Sequence, residues 1–338
     1  MKGQTIALDT LGGAEAAALI VDGQLQDLLV DSDRPAPGTI YRAVALRPMK
    51  GQGGMFLETP DGNAFLRQVK GLSPGQSLVV QVSGYAEPGK AIPVNTRLLF
   101  KSRYAIVTPG APGINVSRQI RDDDLRDDLL SVAHEVMEGE HGLILRSSCA
   151  DAHADDIAED IQAMVRLAAQ VLADDQGEAE VLVAGDGPHT HAWREWGTGD
   201  VDPEPGSFDR HNVLDMIESL RAPLVDLPGG GSMCIEPTRA LVAVDINTGN
   251  DSSPAAGLKA NMAALRELPR QLRLRGLGGQ VLVDPAPAPK KDRRQMEQVL
   301  RAALRQDACE TIVAGWTQLG LIELQRKRER VPLHEVRA

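Results

Sequence analysis

The sequence predicts a mixed α/β chain assembled from several subdomains. Three observations carry this. Residues 240–245 (A-L-V-A-V-D) and 279–284 (G-Q-V-L-V-D) are short valine-rich strand patterns separated by a helical pattern over 258–275. Residues 39–97 are dense in short strands and glycine turns, which suits a small β-barrel such as an OB-fold. Residues 120–137 and 155–172 read as amphipathic helices.

Taken in order, residues 3–31 alternate apolar and polar around turns at Gly12-Gly13 and Asp22-Gly23, the mark of a β-meander. A Pro/Gly break at 33–38 precedes the barrel region. Residues 98–107 read as one further strand, ending at Pro109, and 141–147 (H-G-L-I-L-R-S) as a short one ending in Arg and Ser. Residues 174–208 are acidic and rich in Gly and Pro, so loops are expected there, with a short strand at 180–184. Residues 212–221 are helical and 228–232 a glycine turn; strand patterns return at 311–314 and within 319–330.

Composition narrows the function classes. The three cysteines, Cys149, Cys234 and Cys309, form no C-x-x-C pair, so they read as reduced core thiols of a cytoplasmic protein. No basic-then-apolar leader and no long apolar run is present, so neither a signal peptide nor a membrane span is expected. The glycine-rich pieces at 51–54 and 229–231 match neither a P-loop nor a dinucleotide fingerprint. Net charge is −11, but residues 227–338 carry 17 Lys and Arg against 12 Asp and Glu, whereas the remainder carries 19 against 35. A basic region around 266–275, 290–294 and 326–330, flanking two aspartates, fits a phosphodiester substrate.

Those aspartates are Asp245 and Asp284. Their strands read as buried on both faces, and a strand–helix–strand unit is normally parallel and right-handed. Both carboxylates then fall side by side at the carboxyl edge of one sheet, where open α/β sheets place ligands. Adjacent carboxylates repel unless a cation lies between them, and oxygen ligands suit Mg²⁺ or Mn²⁺. One aspartate ending a strand is ordinarily a helix cap or turn residue. Two in matching positions, with Asn247 close behind the first, argue for a metal-assisted phosphoryl-transfer site.

Aromatic residues make up 3% of the chain, so Phe56 and Phe65 in the barrel, with Lys90 in a late turn, stand out. Phenylalanine on barrel strands is ordinarily core. On one barrel face, two aromatics and a lysine instead hold single-stranded nucleic acid.

Residues 228–247 (P-G-G-G-S-M-C-I-E-P-T-R-A-L-V-A-V-D-I-N) and 270–284 (R-Q-L-R-L-R-G-L-G-G-Q-V-L-V-D) resemble the catalytic segments of the ribonuclease E/G family. The resemblance implies an RNase H-like subdomain at 1–38 and 186–226, an inserted OB-fold RNA-binding domain at 39–97, a 5′-phosphate sensor at 98–185 and a DNase I-like α/β catalytic subdomain at 227–338. By position it makes Asp245 and Asp284 the magnesium ligands, with Asn247 beside them. G-I-N-V-S-R-Q-I (113–120) and G-L-I-L-R-S (142–147) resemble the segments that hold a 5′ monophosphate, with Arg118, Arg146 and Ser147 as its ligands. Phe56, Phe65 and Lys90 align with RNA-contacting positions.

The implied activity is Mg²⁺-dependent cleavage of single-stranded RNA with a preference for 5′-monophosphate ends. The alternatives are a homologue that binds RNA without cutting it, and a phosphoesterase acting on small substrates. Departures from the family are the proline run P-A-P-A-P-K-K after Asp284, the lack of an arginine at 317–319, and a short barrel and 174–210 region. The family's zinc-binding cysteine pair is also lacking, so no zinc site and no family tetramer is expected.

Overall fold

A computed structural model describes residues 3–336 except 50, 52, 69, 70, 138, 140 and 198. The chain forms two compact units, residues 1–32 with 199–338, and residues 33–198.

The first unit opens with the expected meander: β1 (Gln4–Leu11), β2 (Ala14–Val21) and β3 (Gln24–Val30). Gly12 and Gly13 both have positive φ, as a two-residue hairpin turn between twisted strands demands.

The second unit contains the barrel. β4 (Ile40–Met49), β5 (Gly54–Thr59), β6 (Gly62–Leu66), β7 (Ser77–Val82) and β8 (Ile92–Asn95) run in the order β4-β5-β6-β8-β7, and β4–β7 pairing closes the ring. β6 and β8 are parallel and the other pairs antiparallel, an OB-like arrangement. Tyr41, Leu57, Leu66, Val80 and Val94 fill its interior.

A four-stranded sheet follows in the same unit: β9 (Phe100–Lys101), β10 (Ala105–Thr108), β11 (Gly113–Val116) and β12 (Gly142–Leu145), ordered β11-β12-β10-β9. α1 (Asp123–Val136) and α2 (Ala154–Ala173) pack on it through Leu129, Ala133, Ile157 and Ile161. Asp122 caps α1 by accepting from the Leu125 amide at 3.2 Å. The single strand expected over 98–107 is a hairpin instead. Asp160 of α2 breaks it, accepting from the Ser102 hydroxyl (2.5 Å) and the Tyr104 amide (3.0 Å) to fix a turn. β13 (Glu180–Val183) returns to pair with β4. Residues 174–208 are also more ordered than their loop-like composition implies. α3 (Pro188–Glu195) starts on a proline, whose missing N–H costs a first turn nothing, and buries Ala192.

The chain then re-enters the first unit. β14 (Asp200–Asp202) pairs in parallel with β1, and α4 (Ser207–Arg210) and α5 (Val213–Arg221) cover the meander through Phe208, Val213 and Ile217. β15 (Leu224–Asp226), β16 (Ser232–Pro237), β17 (Val242–Asn247), α6 (Ala256–Leu274), β18 (Gly279–Asp284), α7 (Arg293–Arg305), β19 (Thr311–Trp316) and β20 (Ile322–Arg326) complete it. Their sheet runs β15-β16-β17-β18-β20-β19, and among these pairs only β17–β18 is parallel.

β17 and β18 are not buried on both faces. Val242, Val244, Ile246, Val281 and Val283 pack against Ala264, Leu265, Leu268 and Leu272 of α6. The alternate residues Asp245, Asn247 and Asp284 lie exposed on the opposite face. Valine-rich composition mimicked a doubly covered strand because Ala243 and Leu282, on the open face, are themselves apolar. No helix among the described residues is long and apolar enough to cross a membrane.

Candidate active site and nucleic-acid interface

Parallel pairing sets the site. Asp245 of β17 stands directly across from Asp284 of β18, and their side chains project from the same open face. The Asn247 amide donates to Asp245 Oδ2 at 2.7 Å, holding that carboxylate from two residues along the same face. Asp284 has no hydrogen-bond or ion-pair partner among the described residues, and neither aspartate is paired with a basic side chain. Two uncompensated carboxylates in register fit a hard divalent cation. No third His, Cys, Asp or Glu among the described residues completes a protein-only metal cage.

The loop after Asp284 is the proline run, and it is pinned. Asn261 of α6, fully buried, donates to Ala286 O and accepts from Ala286 N, both at 2.9 Å. Its side-chain amide thus pairs with the Ala286 backbone as a strand neighbour would. One turn earlier Gly257 lies so close that an added Cβ would sit 2.0 Å from Pro287 O. Neither residue stood out in the sequence, although a glycine four positions before an asparagine on a helix face is a readable pattern for close backbone approach. On the other flank, Cys234 of β16 faces Asp245. Burial, Glu236 and Asp245 all push its thiol up, so it remains neutral beside the carboxylates.

The basic field expected around the aspartates is largely spent elsewhere. Arg273 and Arg326 both pair with buried Asp307, and Arg330 with buried Asp27. Burial raises the Asp27 pKa, but Arg330 and Arg273 outweigh it and hold the carboxyl below its ordinary value. Arg275 donates to Leu220 O and Ala222 O, at 2.5 and 2.7 Å. α6 packs on the face opposite the carboxylates, and Arg270, Arg273 and Arg275 on it serve the fold. Lys290, Lys291 and Arg294 lie exposed just beyond the pinned loop, and Arg266 is exposed on α6.

In the barrel, Phe56 and Phe65 are cross-strand partners on the outer face, half-buried, with ring centroids 5.2 Å apart. They are not part of the barrel core. Arg47, which sequence reasoning missed, is paired across from Phe56, with its guanidinium 5.2 Å from the ring centroid. Gly54 makes room for the Phe65 ring, which a Cβ there would meet at 2.2 Å. Lys90 is exposed and ion-paired to Glu87 at 2.8 Å in the loop leading to β8, whose Pro93 neighbours Phe65.

In the region expected to sense a 5′ phosphate, β11 and β12 are parallel, with Val116 opposite Leu145, and the Ser117 amide extends the ladder to Leu145 O at 2.8 Å. Arg118 and Ser147 each lie two residues past that last pair, both exposed. Arg146 is engaged. Its Nη1 donates to Ser102 O (2.6 Å) and Arg194 O (3.4 Å), and its Nη2 pairs with Glu195. Burial raises the Glu195 pKa, but Arg146 and Arg194 overcome it and hold the carboxyl below its usual value.

The chain is 28% identical to a ribonuclease E of Synechocystis sp. over 95% of its own length and 56% of that protein's. It is 27% identical to a ribonuclease G of Salmonella typhimurium over 94% of its length and 78% of the relative's. It thus spans about half the length of the first of these relatives. The family model for ribonuclease E/G matches residues 100–203 and 200–329, which take in both the arginine-bearing and the aspartate-bearing strand pairs, and the chain belongs to the ribonuclease E/G family.

Proposed function

We propose that the chain is a Mg²⁺-dependent endoribonuclease acting on single-stranded RNA. The observation that carries this reading is the facing pair Asp245 and Asp284, open to solvent and without an internal cation, in a chain of this family. Asp245 and Asp284 would hold Mg²⁺ or Mn²⁺, which when bound polarises the scissile phosphate and lowers the pKa of an attacking water. Asn247 fixes the Asp245 carboxylate. Asn261 and Gly257 fix the chain that leaves Asp284. Lys290, Lys291 and Arg294 offset phosphate charge. Phe56 and Phe65 stack on bases, with Arg47 and Lys90 attracting the backbone, and Arg118, Arg146 and Ser147 receive a 5′ monophosphate. In this reading residues 39–97 bind RNA, 98–185 sense its 5′ end, 227–338 cut it, and 1–38 with 186–226 form the RNase H-like part.

The test is cleavage of a 5′-monophosphorylated single-stranded RNA with and without Mg²⁺. Cutting should require the metal. Binding without cutting would favour an RNA-binding homologue. Undiminished cutting in EDTA would overturn the metal-dependent reading. The barrel is tested separately. Phe56→Ala and Phe65→Ala should each weaken RNA binding by about 1–3 kcal/mol. Because both rings lie on the outer face, the melting temperature should fall far less than the ~3–5 kcal/mol loss of a core phenylalanine implies.

A further inference from the structure

The chain has ten aromatic side chains, three Trp, three Tyr and four Phe. Trp193 is the sole exposed one among the described residues, at 60%. Trp193 lies in the last turn of α3, whose final carbonyls lack helical partners. Two arginines satisfy consecutive ones. Arg103 Nη1 donates to Trp193 O at 2.5 Å, and Arg146 Nη1 to Arg194 O at 3.4 Å. The same Arg103 lies over the indole, 5.0 Å from its ring centroid. The indole is thus backed by a guanidinium anchored on the helix end, and at 60% exposure the ring keeps much of its surface open.

We propose that Trp193 is a stacking platform for the 5′-terminal nucleobase of an RNA whose phosphate is held at Arg146. This rests on the 5′-end reading above and names the subsite next to it. The occupant follows from the chemistry. A guanidinium-backed indole offers a flat π-face in a cationic setting, which matches a base attached to a phosphate. Arg146 binds α3 by the carbonyl directly after that of Trp193, so phosphate and base subsites are one residue apart along the backbone. Stacking of this kind tolerates any base, so the platform adds affinity without adding sequence preference. Arg103 is a positioning residue here, holding the ring from behind.

The experiment uses the full chain carrying Asp245→Asn to suppress turnover. Binding is measured for a 5′-monophosphorylated single strand and for the same strand with an abasic 5′-terminal nucleotide. Trp193→Ala should weaken binding of the normal strand roughly 5- to 100-fold, and Trp193→Phe should retain most of it. The abasic strand should bind the unsubstituted platform and Trp193→Ala equally. Equal binding of the normal strand by both overturns the proposal, and so does an equal loss on normal and abasic strands, which would give Trp193 a role in the fold. Cleavage by the chain with Asp245 intact reads the parent function independently. If it cuts and Trp193 is indifferent, only the platform falls; if no RNA binds at all, both fall.

Discussion

β17 and β18 carry an aspartate each at facing positions near their carboxyl ends; β11 and β12 lead into two arginines. Both pairs are parallel neighbours, so each brings side chains distant in sequence to one sheet edge. They differ in what the chain does with the charge. Among the described residues, Asp245 takes its hydrogen bond from a neutral amide and Asp284 has no hydrogen-bond or ion-pair partner. Arg146 already holds a carboxylate and two carbonyls. In the proposed reading the first edge is open to a cation, which would offset the charge of its two carboxylates. The second is neutralised in advance, so under the proposed reading a phosphate would have to displace Glu195 or share the guanidinium with it. Open carboxylates favour tight capture of a metal, whereas a pre-paired arginine favours modest, exchangeable recognition.

The largest expected effect breaks the first edge. Asp245→Asn or Asp284→Asn removes one of the two charges that attract the metal. Cleavage should drop by roughly three orders of magnitude or more, since Lewis-acid assistance is worth several kcal/mol. Melting temperature should hold or rise, because both groups are exposed and repel one another. Calorimetric Mg²⁺ titration should show affinity falling with activity. Variants that cut at the unsubstituted rate would remove the site altogether.

Next comes the support behind Asp284. Asn261→Ala leaves the buried N–H and C=O of Ala286 unpaired, at a cost of about 1–3 kcal/mol each. Chemical denaturation should show a loss of about 2–6 kcal/mol for the two groups together, and cleavage should slow even where the protein is fully folded. A folded variant with full activity would show that the proline run needs no pin.

Arg146→Ala should cost the other unit about 1–2 kcal/mol, because the guanidinium caps α3 and offsets Glu195 as well as serving any ligand. Asp→Asn at the first edge should cost nothing of the kind. An unchanged melting temperature for Arg146→Ala would mean that the two edges are equally open.

How far the sequence could foresee this contrast follows from what periodicity records. The meander, the barrel region, the strand–helix–strand unit and the Asp245–Asp284 register were all legible, because alternation and parallel pairing fix them. The hairpin at 100–108 was not, since it depends on Asp160, more than fifty residues away. α3 was hidden by an acidic, Gly- and Pro-rich surround. The arginines of α6 read as a substrate-facing field because charge alone does not tell which face of a sheet a helix covers. Glu195 was invisible as the partner of Arg146; Asp151 and Asp155 are nearer in sequence, and only the docking of α3 brings Glu195 in.

The smallest effect sharpens the comparison most. Glu195→Gln keeps the shape of the side chain and its ability to accept from Arg146 but removes the competing charge. A neutral hydrogen bond is about half as strong as a charge-assisted one, so a 5′ phosphate should claim Arg146 more easily. The preference for 5′-monophosphate over 5′-hydroxyl RNA, measured as a ratio of cleavage rates at neutral pH, should rise roughly 3- to 10-fold, the equivalent of about 1 kcal/mol. Stability should carry the same signature. The Glu195 carboxyl titrates below its ordinary value of 4.5 in the fold, so its contribution is fully present above that pH. It is lost as the pH falls through the depressed value, so the unsubstituted protein should lose melting temperature below about pH 4.5 more steeply than Glu195→Gln. A preference that stays put while the acid-side slope flattens would make Glu195 purely a cap for α3. A preference that falls would mean that Glu195 orients Arg146 for the phosphate rather than competing with it.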